Sequence, residues 1–244
     1  MVERNRKPEN FPTTRSSILW GLKSADAAAK ARSIERLAEA YWKPVYKYLR
    51  YRWRKTPTEA EDITQAFFLR AIDKDTFASY DPAQARFRTF IRVCLDRFTV
   101  DGQRREMTHR RGGGVRLLPL DFSGAEGEIA GDQALASDPE RLFEIEWVRS
   151  VLSISIESLR TVCASRGKDV YFRIFEMFHL GDEVPRPTYA QAATELGLSV
   201  TDITNRLAYV RREFRAVVLD TLGELTGSDE ELRAEARAVL KFPA

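Results

Sequence analysis

Between Arg86 and Arg111 the chain sets eight arginines (86, 88, 92, 97, 104, 105, 110 and 111) against three acids (96, 101 and 106). Guanidinium groups fork onto phosphate oxygens and lie flat on aromatic planes, so this stretch has the chemistry to hold a nucleic-acid backbone. Aromatics are woven through it. Phe87, Phe90, Ile91, Cys94, Leu95 and Phe98 recur at i, i+3, i+4 and i+7, which in a helix makes one apolar stripe with most cations elsewhere. Phe87, Cys94 and Phe98 read as core. Phe90 is the ring placed to stack on an exposed base, and Arg88, Arg92, Arg97, Arg104 and Arg105 are the cations placed to hold the strand.

A second set of groups lies near the other end. Thr201, Asp202, Thr204 and Asn205 open a helix that buries Ile203, Leu207, Val210 and Phe214. Short polar side chains in the first turns of such a helix can reach base edges in a major groove, while Arg206, Arg211, Arg212 and Arg215 further along suit phosphates. A third set points to protein. Asp62, Gln65 and Leu69 share one face of a helix whose other face carries Ile63, Phe67 and Ala71. Phe68 and Leu69, expected to be exposed beside Asp62 and Gln65, suggest a docking surface.

Covalent chemistry has no constellation to run on. The two histidines, His109 and His179, are far apart, and Cys94 and Cys163 stand alone without CxxC spacing. No phosphate loop or nucleophile elbow occurs, so no catalytic residue, metal or cofactor is expected. Nor is a membrane partner: no run is long enough to span, and the polar start from Met1 to Lys7 lacks a secretory apolar region, which places the chain in the cytoplasm.

Helices must position these groups, because no stretch shows sustained strand alternation; the fold class is all-α. Ser33–Trp42 and Val45–Trp53 are apolar-periodic runs with Pro44 between them, able to kink or restart the helix. Thr56-Pro57-Thr58-Glu59 fits a capping box opening a helix to about Ile72. Asp138-Pro139-Glu140 opens another, with Phe143, Trp147, Val151, Ile154 and Leu159 as its stripe, and a shorter one is expected from Asp169 to His179. Thr188 to Ser199 describes a helix closed by Gly197 and followed by an N-cap serine, the pattern of a helix-turn-helix, although a purely structural three-helix bundle carries the same signature. Ser228-Asp229-Glu230-Glu231 is read as a last capping box, opening a charged helix through Leu240 that either packs back or docks elsewhere.

The net charge of +3 conceals a division. Residues 1–116 carry 25 Lys and Arg against 14 Asp and Glu, a balance of +11; residues 117–150 carry 2 against 8, a balance of −6; residues 151–244 carry 12 against 14, a balance of −2. Residues 117–137 also lose helical periodicity after the glycines 112–114 and read as a solvated linker. The expected organisation is an N-terminal helical domain over 1–114, an acidic flexible linker over 115–138, a helix-turn-helix domain over 139–225 and a helical extension over 226–244.

Taken together these segments resemble bacterial RNA polymerase sigma factors of the extracytoplasmic-function type, in a divergent subgroup with a longer linker. Glu59-Ala60-Glu61-Asp62-Ile63-Thr64-Gln65-Ala66-Phe67-Phe68-Leu69 is similar to the segment that grips the clamp helices of the polymerase largest subunit. Phe87–Ile91 through Asp101-Gly102-Gln103-Arg104-Arg105 resembles the segment that melts DNA and captures the minus-ten element: Phe90 stands where many relatives have tryptophan, and Asp101, Arg104 and Arg105 match the D-x-x-R-R ending. Leu95, Asp96 and Arg97 depart from the usual Ala, Arg and Asn. Leu198–Leu207 lines up with the recognition helix for the minus-thirty-five element, matching at Arg206 and Leu207, whereas Thr201-Asp202 replaces the common Gly-Thr. The resemblance implies promoter DNA and core polymerase (clamp helices and flap) as partners, with an anti-sigma factor or other regulator as a further one. It also suggests that the acidic linker runs through the polymerase's basic cleft. Two other readings stay open from the residues: a stand-alone helix-turn-helix regulator, and a nucleic-acid-binding protein without sequence choice.

Overall fold

The computed structural model describes residues 18–22, 24, 26–73, 76–106, 120–129, 137–181 and 186–241. The expectations for His109, Arg110, Arg111 and glycines 112–114 lie outside these residues, as do the side chains of Arg104 and Arg105. Among the described residues all regular secondary structure is helical, as the periodicity predicts. In chain order the α-helices are α1 (Ile18–Gly21), α2 (Ala27–Arg52), α3 (Pro57–Asp73), α4 (Phe87–Glu106), α5 (Phe122–Ile129), α6 (Pro139–Ser165), α7 (Asp169–Phe175), α8 (Tyr189–Leu196), α9 (Val200–Leu225) and α10 (Asp229–Val239). A 3-10 turn at Thr76–Ser79 precedes α4, and a π-helical turn at Glu176–Leu180 extends α7.

Caps set the helix starts. Asp26 accepts from the Ala28 N–H at 2.9 Å to open α2, and Asp138 accepts from the Arg141 N–H at 3.0 Å to open α6 behind Pro139. At α3 the box is reciprocal, the Thr56 N–H donating to Glu59 at 2.8 Å. That N–H and the Thr56 hydroxyl hold the Glu59 carboxyl below its ordinary range. Pro44 does not divide α2, which runs unbroken through it. An interior proline costs a helix about 3 kcal/mol. Here the flanking Ala40, Tyr41, Val45 and Leu49 are all buried and hold the rod together.

The acidic stretch departs from its expected irregularity. Phe122 to Ile129 forms α5, because Phe122, Ala125 and Ile129 recur at i, i+3 and i+7 and fit against α2. The Phe122 ring meets Trp42 and Tyr46 at 5.4 and 5.2 Å. Around it Arg50 donates to Glu126 at 2.9 Å, and Lys43 and Lys47 donate to Glu128 at 2.7 and 2.9 Å. So the acids of this segment bind the basic face of α2.

Two hydrophobic cores result. The first gathers α1 to α5 with Phe143, Trp147, Val148 and Val151 of α6, Val218, Leu222 and Leu225 of α9, and Leu232, Ala236 and Val239 of α10. Tyr41 is central, its ring 5.9 Å from Phe87 and 6.3 Å from Trp147. The second joins Leu159 and Cys163 of α6 to Phe172, Ile174 and Phe175 of α7, Ala192 and Ala193 of α8, and Ile203, Leu207 and Val210 of α9. Both long helices, α6 and α9, therefore serve both cores, and Phe214 packs against each. Truncating any of the large buried rings costs about 3–5 kcal/mol.

Candidate nucleic-acid interface

The helix-turn-helix forms in the second core. Thr188 and Gln191 make a reciprocal capping box at the start of α8, with the Thr188 N–H donating to Gln191 at 2.8 Å. Gly197 ends α8 at φ 63°, in the left-handed region where a residue without Cβ turns at least cost. Two residues later Ser199 caps α9, accepting from the Asp202 N–H at 3.0 Å while Asp202 accepts from the Ser199 hydroxyl at 2.6 Å. The Ser199 hydroxyl and N–H hold the Asp202 carboxyl below its usual value. Asp202, expected from the sequence to face base edges, is thus also the reciprocal half of the α9 cap.

What α9 presents is then clear. Thr201, Thr204 and Asn205 are exposed in its first turns, although the Thr204 hydroxyl turns back to the Val200 and Thr201 carbonyls at 2.9 Å. Arg206 is half-buried, its guanidinium 5.3 Å from the centre of the Tyr171 ring. Lys168 sits 3.8 Å over the Tyr209 ring, which meets Tyr171 edge-on. Arg212 and Arg215 are exposed, as is Arg211, whose Nε donates to His179 Nε2 at 3.0 Å. Burial, then the charges of Arg211 and Arg186, push the His179 pKa down, so the ring is a neutral acceptor.

On α4 the picture differs from the expected open row of cations. Phe87, Ile91 and Leu95 are fully buried, and Phe90 is half-buried with its ring 5.4 Å from Tyr80. Arg97 and Asp101 are exposed, but Arg88 is only 7% exposed. Its Nε lies 3.2 Å from Glu235 Oε1 of α10, and its guanidinium covers the Trp147 ring at 5.1 Å. Arg92 pairs with Glu140 at the start of α6. Neither is a free cation, because α6 and α10 return to cover this face with acids, a long-range event that local periodicity does not report. Asp96, which departs from the resemblance, has a structural role as well, accepting from Trp53 Nε1 at 2.9 Å and from the Tyr48 hydroxyl at 3.2 Å. Cys94 packs against the core, and burial raises its thiol to about 11, leaving it protonated.

The face expected on α3 is narrower than predicted. Asp62 is exposed and Leu69 half-buried, whereas Gln65 is 7% and Phe68 2% exposed. Phe68 belongs to the core, edge-on to Phe67 at 5.3 Å, where α3 packs against α2. Sequence reasoning missed Glu231 and Glu235. The signal was present: both fall on the apolar stripe of α10 with Leu232, Ala236 and Val239, so any helix that buries the stripe buries the acids too.

A family model described as ECF sigma factor matches residues 13–220. No curated protein and no solved structure matches the chain. The family is one of non-enzymatic transcription factors. No described helix is long and apolar enough to cross a membrane.

Proposed function

The chain belongs to the ECF sigma factor family, which acts in transcription initiation with core RNA polymerase and promoter DNA, and on that footing we propose a residue-level division of its work. The surface of α3 around Asp62 and Leu69, with Gln65 and Phe68 beneath it, docks on the polymerase clamp helices. The start of α9 reads the upstream promoter element through Thr201 and Asn205, with Arg206, Arg211 and Arg212 on the flanking phosphates. α4, through Phe90, Arg97, Asp101, Arg104 and Arg105, engages and opens the downstream element.

The observation that carries this reading is the start of α9. Two reciprocal capping boxes and the left-handed turn at Gly197 hold an exposed Thr201 and Asn205 at the tip of a rigid helix. A groove-reading element needs this presentation, since base edges are recognised only by groups held in fixed register. Melting asks a base to leave the stack, costing a few kcal/mol that stacking on Phe90 and strand contacts offset. No covalent step is involved, and the protein works in the cytoplasm beside the polymerase. A pull-down with core polymerase tests the docking face: Asp62→Ala should lower retention, and undiminished retention would remove α3 from that role.

A further inference from the structure

The C-terminal helix α10 lies outside the matched residues 13–220 and is bound to the start of α4. Glu231 supplies three contacts there. It accepts from the Phe87 N–H at 2.6 Å, the Tyr80 hydroxyl at 2.9 Å and the Gly227 N–H at 2.8 Å. One helix turn on, Glu235 is 1% exposed and lies 3.2 Å from Arg88 and 3.8 Å from Arg86. Neither Glu235 oxygen makes a hydrogen bond. Desolvation dominates and raises its pKa despite both arginines. A buried carboxylate of this kind adds little stability, because the desolvation penalty offsets most of the Coulombic gain. It does place an anion against Arg88, one of the cations expected from the sequence to hold the DNA strand.

We propose that α10 is an intramolecular latch: Glu235 and Glu231 occupy the start of α4 as a stand-in for the DNA backbone, and promoter engagement requires α10 to swing off. This rests on the proposed role of α4 in binding promoter DNA. The turn before α10 is fitted closely enough to act as the clasp. A Cβ at Gly227 would stand 2.7 Å from the Tyr80 ring, nearer than side-chain carbons approach. Removing the Glu235 charge leaves Arg88 buried without its close partner in the latched form and costs nothing in the released form, so the equilibrium shifts toward release.

The test compares full-length wild type, Glu235→Gln and Gly227→Ala, each loaded on core polymerase, for affinity to one promoter fragment at fixed salt. Hydrogen exchange of residues 229–239 is followed before and after DNA addition. The latch predicts promoter binding about tenfold tighter in both variants, a population shift of ordinary allosteric size. It also predicts that wild-type α10 loses exchange protection when DNA binds. Equal or weaker binding in both variants, or α10 protection unchanged by DNA, overturns the latch alone. No promoter binding by any of the three proteins overturns the reading of α4 and the latch with it.

Discussion

The Glu231 carboxylate, on α10, accepts a hydrogen bond from the backbone N–H of Phe87, the first residue of α4, at 2.6 Å. The two residues are 144 positions apart, yet the acid does what an N-terminal cap does locally: it satisfies an orphan donor and places negative charge at the positive end of a helix. Ser228 does cap α10, accepting from the Glu231 N–H at 3.1 Å, but the reciprocal half of the expected capping box is absent because the carboxylate turns to α4, Tyr80 and Gly227. Glu231→Ala therefore orphans buried donors at about 1–3 kcal/mol each. Thermal unfolding should show a clearly lowered midpoint, and an unchanged midpoint would mean the Phe87 amide finds another partner.

Lys47 and Glu146 form the most enclosed ion pair on α2, 3.0 Å apart with both side chains fully buried. Lys47→Met leaves Glu146 with Arg149, which is half exposed, and should cost about 3–5 kcal/mol. Adding Glu146→Leu should recover much of that loss, since a packed apolar pair avoids the desolvation of both charges. Denaturant midpoints at constant slope measure both steps. A double variant no better than the single one would show that the charges are worth more than their burial costs.

The start of α9 should divide affinity from choice. Asn205→Ala should lose about 1–3 kcal/mol at particular upstream base pairs and little at others. Arg212→Ala should weaken all duplexes alike and lower the salt dependence by about one phosphate contact. Binding titrations against a set of single-base promoter variants separate the two. If Asn205→Ala weakens every sequence equally, the residue is not a base reader.

His179 gives a pH signature. Its pKa is held below the ordinary 6.5, first by burial and then by Arg211 and Arg186, so the neutral ring is the folded-state form. The sign follows from linkage: the stability it contributes is present above the unfolded value and is lost as pH falls through the lowered one. The Arg211 contact, which needs a free ring nitrogen, should break over the same acid range. An NMR titration of the His179 ring should show a midpoint below 6.5 that rises in Arg211→Ala. A wild-type midpoint above 6.5 would contradict the geometry.

The parts of this protein governed by local chemistry were readable in its sequence. Thr56 with Glu59, Asp138 with Pro139, and the N-cap Ser199 each sit within one helical turn of the start they set, so cap residues alone mark the starts of α3, α6 and α9. The buried faces of α4 and α9 followed from the same periodicity. What escaped depends on distant segments arriving. Phe68 is buried where α3 packs into the core, and Arg88 and Arg92 are neutralised by Glu235 and Glu140 from helices far along the chain. At Pro44, local propensity signals a break that packing on both sides overrides. Phe122, Ala125 and Ile129 carried a helical repeat, but surrounding glycines and acids masked it in a segment read as linker.

Whether this ECF sigma factor directs core polymerase through α3, α4 and α9, as proposed, is decided by in vitro transcription. Core RNA polymerase, genomic fragments and the purified full chain are combined, and transcript starts are mapped with and without the protein. The expected result is new, discrete starts that depend on the chain, share upstream and downstream elements at fixed spacing, and vanish with Asp62→Ala or with Arg206→Ala. Starts unchanged by adding the protein, or added starts with no shared elements, would contradict it.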